Sequence, residues 1–132
     1  MDLLCGHPVT PLLGESRRQG IARGPLVVTN HSVATNLIGT HWILSLKRAI
    51  LVVEDVGEAT YRVDGMLTQW HSSGLLQKLM GVACGRFSWA EEDILRGDFT
   101  MDKILEERLC DLGIPLVMSL PRGHGSQIKH CL

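Results

Sequence analysis

The sequence carries almost no excess charge of either sign. Thirteen Lys and Arg oppose fourteen Asp and Glu, a formal net charge of −1 over 132 residues. That balance points away from nucleic acid and anionic membranes as partners. The longest basic run, Arg17-Arg18, is too short for a nucleic-acid stripe and reads as a solvated loop pair. No stretch approaches ~18 uninterrupted apolar residues, so no membrane span is expected. The N-terminus lacks a positive segment leading into a long apolar one, so no secretory signal is read. Cysteine is sparse: Cys5, Cys84, Cys110 and Cys131 include no pair at C-x-x-C spacing. The expectation is a cytoplasmic chain with reduced thiols, in which Cys84 and Cys110 act as small buried hydrophobes. His7, His31, His41, His71 and His130 show no ligand-like spacing, so no metal site is expected. Trp42, Trp70 and Trp89 are read as packing residues rather than a sugar-stacking platform.

What is present fits a globular protein. Hydrophobic residues make up 45% and charged residues 20%, too apolar for a disordered chain. The length suits one domain with a real core. Residues 1–23, with Pro8, Pro11, Gly6, Gly14 and Gly20, read as an irregular linker or remnant tail. Residues 24–132 read as the domain proper. Leu26-Val27-Val28 suggests a short buried strand, and Asn30 or Ser32 could cap a helix ending near Gly39. Ala49–Val53 is apolar at every position, as in a strand covered on both faces, and runs into Glu54-Asp55. Val63, Met66, Leu67 and Trp70 mark one face of a helix from Thr60 to Ser72. Leu79–Cys84 reads as a third strand ending at Gly85. Thr100 opens a helix closed by Gly113, and Ile114–Leu120 reads as a fourth strand. Strands alternating with helices predict an α/β layered domain with a mainly parallel sheet of about four strands.

In such sheets, ligands bind beyond the carboxyl ends of the strands. Glu54 directly follows one predicted strand, and His124 follows another after a Pro-Arg-Gly turn. A carboxylate there could orient a histidine and leave its second nitrogen free as a general base. By pattern alone, the plainer reading also stands: Glu54 solvates a strand end and His124 is an ordinary loop residue. Asp55 and Glu58 read as loop carboxylates beside the same edge.

Residues 54–70, EDVGEATYRVDGMLTQW, resemble the signature of the LD-carboxypeptidase family. These serine peptidases trim the tetrapeptide of murein, and the family includes microcin self-immunity peptidases. GPLVVTNHSV at 24–33, GVACGRF at 81–87 and LGIPLVMSLPRGHG at 112–125 resemble further family segments in the same order. The resemblance implies a swivelling β/β/α-like C-terminal domain with no cofactor. It matches Glu54 and His124 to the glutamate and histidine of a Ser-His-Glu triad. The partner implied is an N-terminal domain bearing the nucleophilic serine, and the substrate a murein-type peptide. Only 23 residues precede the Gly24 turn, and Ser16 lies in no nucleophile elbow. Ser32 matches a serine at a structural position of the family's domain-opening turn, and Ser126 follows His124 too closely to meet its ring as a nucleophile. Val28-Thr29 replaces the usual Gly-Gly, and Gly65 the usual Arg. The tail 126–132 departs from the family's continuation, so the expectation is a chain truncated at both ends and inactive alone. A truncated sheet leaves homodimerisation through an unpaired edge open. A non-catalytic assembly module, or a degenerate remnant, is the alternative reading. An unrelated small α/β protein is a third.

Overall fold

The computed structural model describes residues 11–88 and 100–121. His124 and Trp89 lie outside the described residues, as do Ser126, Cys5 and Cys131. In chain order the elements are β1 (Glu15–Arg18), β2 (Leu26–Asn30), α1 (His31–Asn36), β3 (Ile50–Val56), α2 (Thr60–Ser72), β4 (Gly81–Ser88), α3 (Met101–Cys110) and β5 (Leu116–Met118).

Among the described residues these strands form one five-stranded sheet in the order β1-β5-β4-β3-β2. Strands β2 to β5 run parallel to their neighbours, and β1 pairs antiparallel with β5. The α/β architecture is the one expected, with one strand more. The additional strand, β1, lies inside the stretch read as irregular. It is exposed along its whole length. Its identity as a strand rests on backbone pairing rather than side-chain pattern. Arg17 pairs with Glu15 at 2.9 Å, and such charges protect a sheet edge from further pairing.

The core lies between the sheet and the helices. Leu51 and Val53 of β3, Val82 and Cys84 of β4, and Leu116 and Met118 of β5 join one buried cluster. Val63, Leu67 and Trp70 of α2 pack into it, with Met101, Ile104, Leu105 and Leu109 of α3. The α2 face read from its apolar spacing is therefore the buried one. Two ties hold α2 to α3. Arg108 Nε donates to Asp64 Oδ1 at 2.7 Å, and the His71 ring donates from Nε2 to the Arg108 carbonyl at 2.7 Å. Cys84 is fully buried, as expected, but Cys110 is only half-buried. Trp70 is a packing residue, whereas Trp42 is 80% exposed and is not.

Local signals explain most boundaries. Asn30 caps α1 by accepting from Val33 N, and Thr100 caps α3 by accepting from Lys103 N. Helix α2 begins without a side-chain cap, since its N-cap residue is Ala59. Strand β5 is shorter than expected because Ser119 adopts a left-handed backbone conformation at φ 58°. No helix among the described residues is long and apolar enough to cross a membrane.

Two glycines make opposite demands. A Cβ on Gly24 would overlap the Arg48 carbonyl, which is backbone and cannot swing aside. Gly65, mid-helix and exposed in α2, faces open space. Gly65→Ala should therefore raise stability by about 0.5–1 kcal/mol, from its better helix propensity and reduced unfolded-state entropy. Gly24→Ala should cost roughly 1–3 kcal/mol through forced backbone displacement. Urea titration of the two variants against the parent chain checks both signs.

Candidate functional site

Parallel pairing of β2, β3, β4 and β5 brings their carboxyl ends to a single edge of the sheet. Register then selects the neighbours. Leu26 pairs with Ile50, and the ladder runs in step to Asn30 opposite Glu54. On the other side of β3 the ladder slips. Val53 pairs with Cys84 but Asp55 pairs with Phe87, so β4 carries one extra residue beside Glu54. Such a bulge bends the strand and re-aims side chains, and Gly85 sits within it. Glu54 and Asp55 are thus part of β3, not a loop after it.

Asp55 has the phase of Leu51 and Val53, so it turns toward the helix layer. It is 2% exposed. Four donors meet its two oxygens. Oδ1 accepts from Asn30 Nδ2 at 3.2 Å and Val56 N at 2.9 Å. Oδ2 accepts from the backbone N–H of Ser32 at 2.9 Å and from the Ser32 hydroxyl at 2.5 Å. The expectation of a loop carboxylate is corrected: Asp55 is a buried hub. Burial of an ion demands such partners. Ser32, expected at a structural position, is one of those partners.

Asn30 is shared among three groups. Its Oδ1 accepts from Val33 N at 3.0 Å, at the start of α1. Its Nδ2 donates to Asp55 Oδ1 and, at 3.3 Å, to Glu54 Oε1. The amide orientation is therefore fixed, because the helix N-terminus needs an acceptor and the carboxylates need a donor. Glu58, the other expected loop carboxylate, pairs with Arg62 at 2.8 Å, one helical turn on.

Beneath this group lies His31, the first residue of α1, with no exposed surface. Its ring sits 4.9 Å from Trp70 and 6.0 Å from Phe87, centroid to centroid. Trp70 Nε1 donates to Thr35 Oγ1 at 2.7 Å, and Thr35 Oγ1 donates to the His31 carbonyl at 2.7 Å. Neither His31 ring nitrogen has a hydrogen-bond partner among the described residues. Burial pushes its pKa down to about 4, with Asp55 pulling the other way. The ring is therefore neutral at pH 7, and its 3.9 Å approach to Asp55 is not an ion pair. Sequence reasoning treated His31 only as a non-ligand. Its place at the first turn of α1, one residue after the cap, was the available signal.

The structure brings Glu54 to the strand-end edge where it was expected. The chain leaving β5 stays at that edge, since Leu120 N donates to the Cys84 carbonyl at 3.0 Å. His124 follows three residues after Pro121, the last described position before the C-terminal tail. Ser16 lies in β1, exposed, opposite Val117. Among the described residues no three His, Cys, Asp or Glu side chains form a metal-binding group.

Comparison with known proteins gives a consistent picture. The family model described as LD-carboxypeptidase C-terminal domain matches residues 23–131. A Synechocystis protein named as a carboxypeptidase is 48% identical over 122 residues, covering 92% of this chain and 40% of its own length. The murein tetrapeptide carboxypeptidase of Pseudomonas aeruginosa is 32% identical over 123 residues, covering 91% of this chain and 38% of its own. The crystal structure of a muramoyltetrapeptide carboxypeptidase from Oxalobacter formigenes superposes with a TM-score of 0.67 at 31% identity. It covers 89% of this chain and 39% of that one. The chain thus spans about two-fifths of the length of these relatives.

Burial of a neutral His31 makes stability depend on pH with a defined sign. The unfolded chain binds a proton at this residue below about pH 6.5, whereas the folded chain resists until about pH 4. Stability is therefore complete above pH 6.5 and falls as the pH drops toward 4, by about 3 kcal/mol in all. His31→Phe should remove this slope between pH 6.5 and 5, where few carboxylates titrate. Chemical denaturation of both proteins across that interval checks it. An unchanged slope in the variant would mean that another group is responsible.

Proposed function

The chain belongs to the LD-carboxypeptidase C-terminal domain family, and from that premise we propose that it supplies the glutamate and histidine of a serine peptidase's triad. Glu54 and His124 are the two residues. The reaction is hydrolysis of the amide bond between an L- and a D-amino acid near the free carboxyl end of a murein peptide. The nucleophilic serine comes from a separate N-terminal domain: Ser32, at the junction of β2 and α1, commits its hydroxyl to the buried Asp55.

The observation that carries this reading is the position of Glu54. It stands at the carboxyl edge of four parallel strands, half-buried, with Asn30 donating to it. A carboxylate accepts several hydrogen bonds at once, so the Asn30 contact is compatible with an imidazole N–H. His124 is three residues beyond Pro121, and three residues reach about 10 Å at most. Its ring would accept the serine proton through Nε2 and return it to the leaving amine. Glu54 would hold Nδ1–H and stabilise the imidazolium. Val33, Val56 and Tyr61 present exposed apolar side chains beside this rim. Such surface suits a docked domain that brings the hydroxyl and excludes water.

The test is a chimera. Residues 23–131 replace the matching segment of the Oxalobacter formigenes muramoyltetrapeptide carboxypeptidase, and turnover of murein tetrapeptide is measured. The chimera should hydrolyse the substrate, and the chain alone should not. Glu54→Gln and His124→Ala should each lower kcat by roughly 10³-fold or more with KM little changed. Turnover by the isolated chain that survives Glu54→Ala would refute the assignment. An inert chimera that folds and binds the peptide would favour a non-catalytic module.

A further inference from the structure

Asp55 neighbours the proposed catalytic glutamate yet is itself sealed from solvent, so it cannot touch a substrate. We infer that Asp55 is a positioning residue for Glu54, acting through the Asn30 carboxamide. The inference rests on the role proposed above for Glu54. Its basis is a chain of directed hydrogen bonds. Val56 N and Asn30 Nδ2 converge on Asp55 Oδ1, and Ser32 N and Oγ converge on Oδ2. The carboxylate is thus fixed to β3 by one side and to the first turn of α1 by the other. Asn30, held between Asp55 and Val33 N, has one remaining direction for its amide hydrogens, toward Glu54 Oε1.

The chemistry requires a carboxylate at position 55. Asn30 Nδ2, Val56 N and Ser32 N can only donate, so a carboxamide would set its N–H against the first two in one orientation and against Ser32 N in the other. Either way the charge-assisted hydrogen bond that anchors the Asn30 amide is lost, and Asn30 holds Glu54 less firmly. A glutamate that must hold an imidazole in one orientation is sensitive to this, since small misplacements of reacting groups cost large factors in rate. Glu54 itself stays half-buried at the rim. The order imposed on it comes from the buried residue after it in sequence.

Two variants test this. Asp55→Asn removes the anchoring charge. Asn30→Ser keeps an oxygen able to cap α1 but has no amide to reach Glu54. In the chimera both should lower kcat, counted per folded molecule by far-UV circular dichroism, roughly 10- to 100-fold with KM within about twofold. In the 132-residue chain, the Asn30 carboxamide protons should be slow to exchange with solvent. In Asp55→Asn they should exchange faster. If Glu54→Gln abolishes turnover while both variants leave kcat within about twofold, the positioning role is overturned and the triad assignment stands. If Glu54→Gln leaves turnover intact, the triad assignment fails, and the exchange measurement still decides whether Asp55 anchors Asn30. Unchanged exchange in Asp55→Asn overturns the anchor directly. Should Asp55→Asn not fold, Asn30→Ser carries the kinetic test.

Discussion

One buried charge organises the working edge of this domain. Asp55 sits almost wholly out of water in β3, between Glu54 and Val56. An isolated carboxylate in such a place would cost several kcal/mol. It is tolerable only because β2 and α1 deliver donors from Asn30 and Ser32, and β3 itself one from Val56 N. That requirement works in reverse as well. The donors sit where they do because α1 starts immediately after Asn30, with no intervening loop. The strand-to-helix junction at residues 30–32 and the carboxylate at 55 determine one another. Through Asn30, the same junction determines where Glu54 points.

Beneath that junction, the His31 ring serves as apolar filling. It occupies space between Trp70 and Phe87 and gains no hydrogen bond at either nitrogen among the described residues. Leaving polar atoms in that state costs roughly 1–3 kcal/mol. The Trp70–Thr35–His31 backbone link offsets part of it by tying α1 to α2. The result is an α1 of only six residues that is held at both faces. Propensity could not have stabilised so short a helix alone. Its placement comes from tertiary contacts, and those contacts support the hydrogen-bonded edge above.

Much of this was readable in the sequence, for identifiable reasons. The 3.6-residue spacing of Val63, Leu67 and Trp70 gave α2 its limits and its buried face. Thr100 and Gly113 framed α3, and Asn30 was one of two candidate caps for α1, with Ser32. What escaped depended on pairing between distant segments. Strand β1 has no alternating pattern and exists because β5 offers it a backbone edge. Strand β4 was read as ending at Gly85, whereas that glycine sits in a bulge and the strand continues to Ser88. Asp55 looks like a loop acid in the sequence because the apolar run stops at Val53, three residues before β3 ends. Once β3 reaches Val56, alternation alone turns Asp55 inward. Trp42 shows the opposite limit: aromatic character suggested burial, yet no element among the described residues covers it.

Cys84 has a consequence of a different kind. The thiol lies in β4 with no solvent contact, and burial, reinforced by Asp102, pushes its pKa up to about 12. It is therefore un-ionised at any physiological pH, and only thiolate reacts with alkylating agents. Half-buried Cys110 has no such shelter. Modification at Cys84 can proceed only through openings that detach β4 from its helix cover. Its labelling rate is thus an intrinsic clock for excursions of the central sheet, readable without engineering a new cysteine.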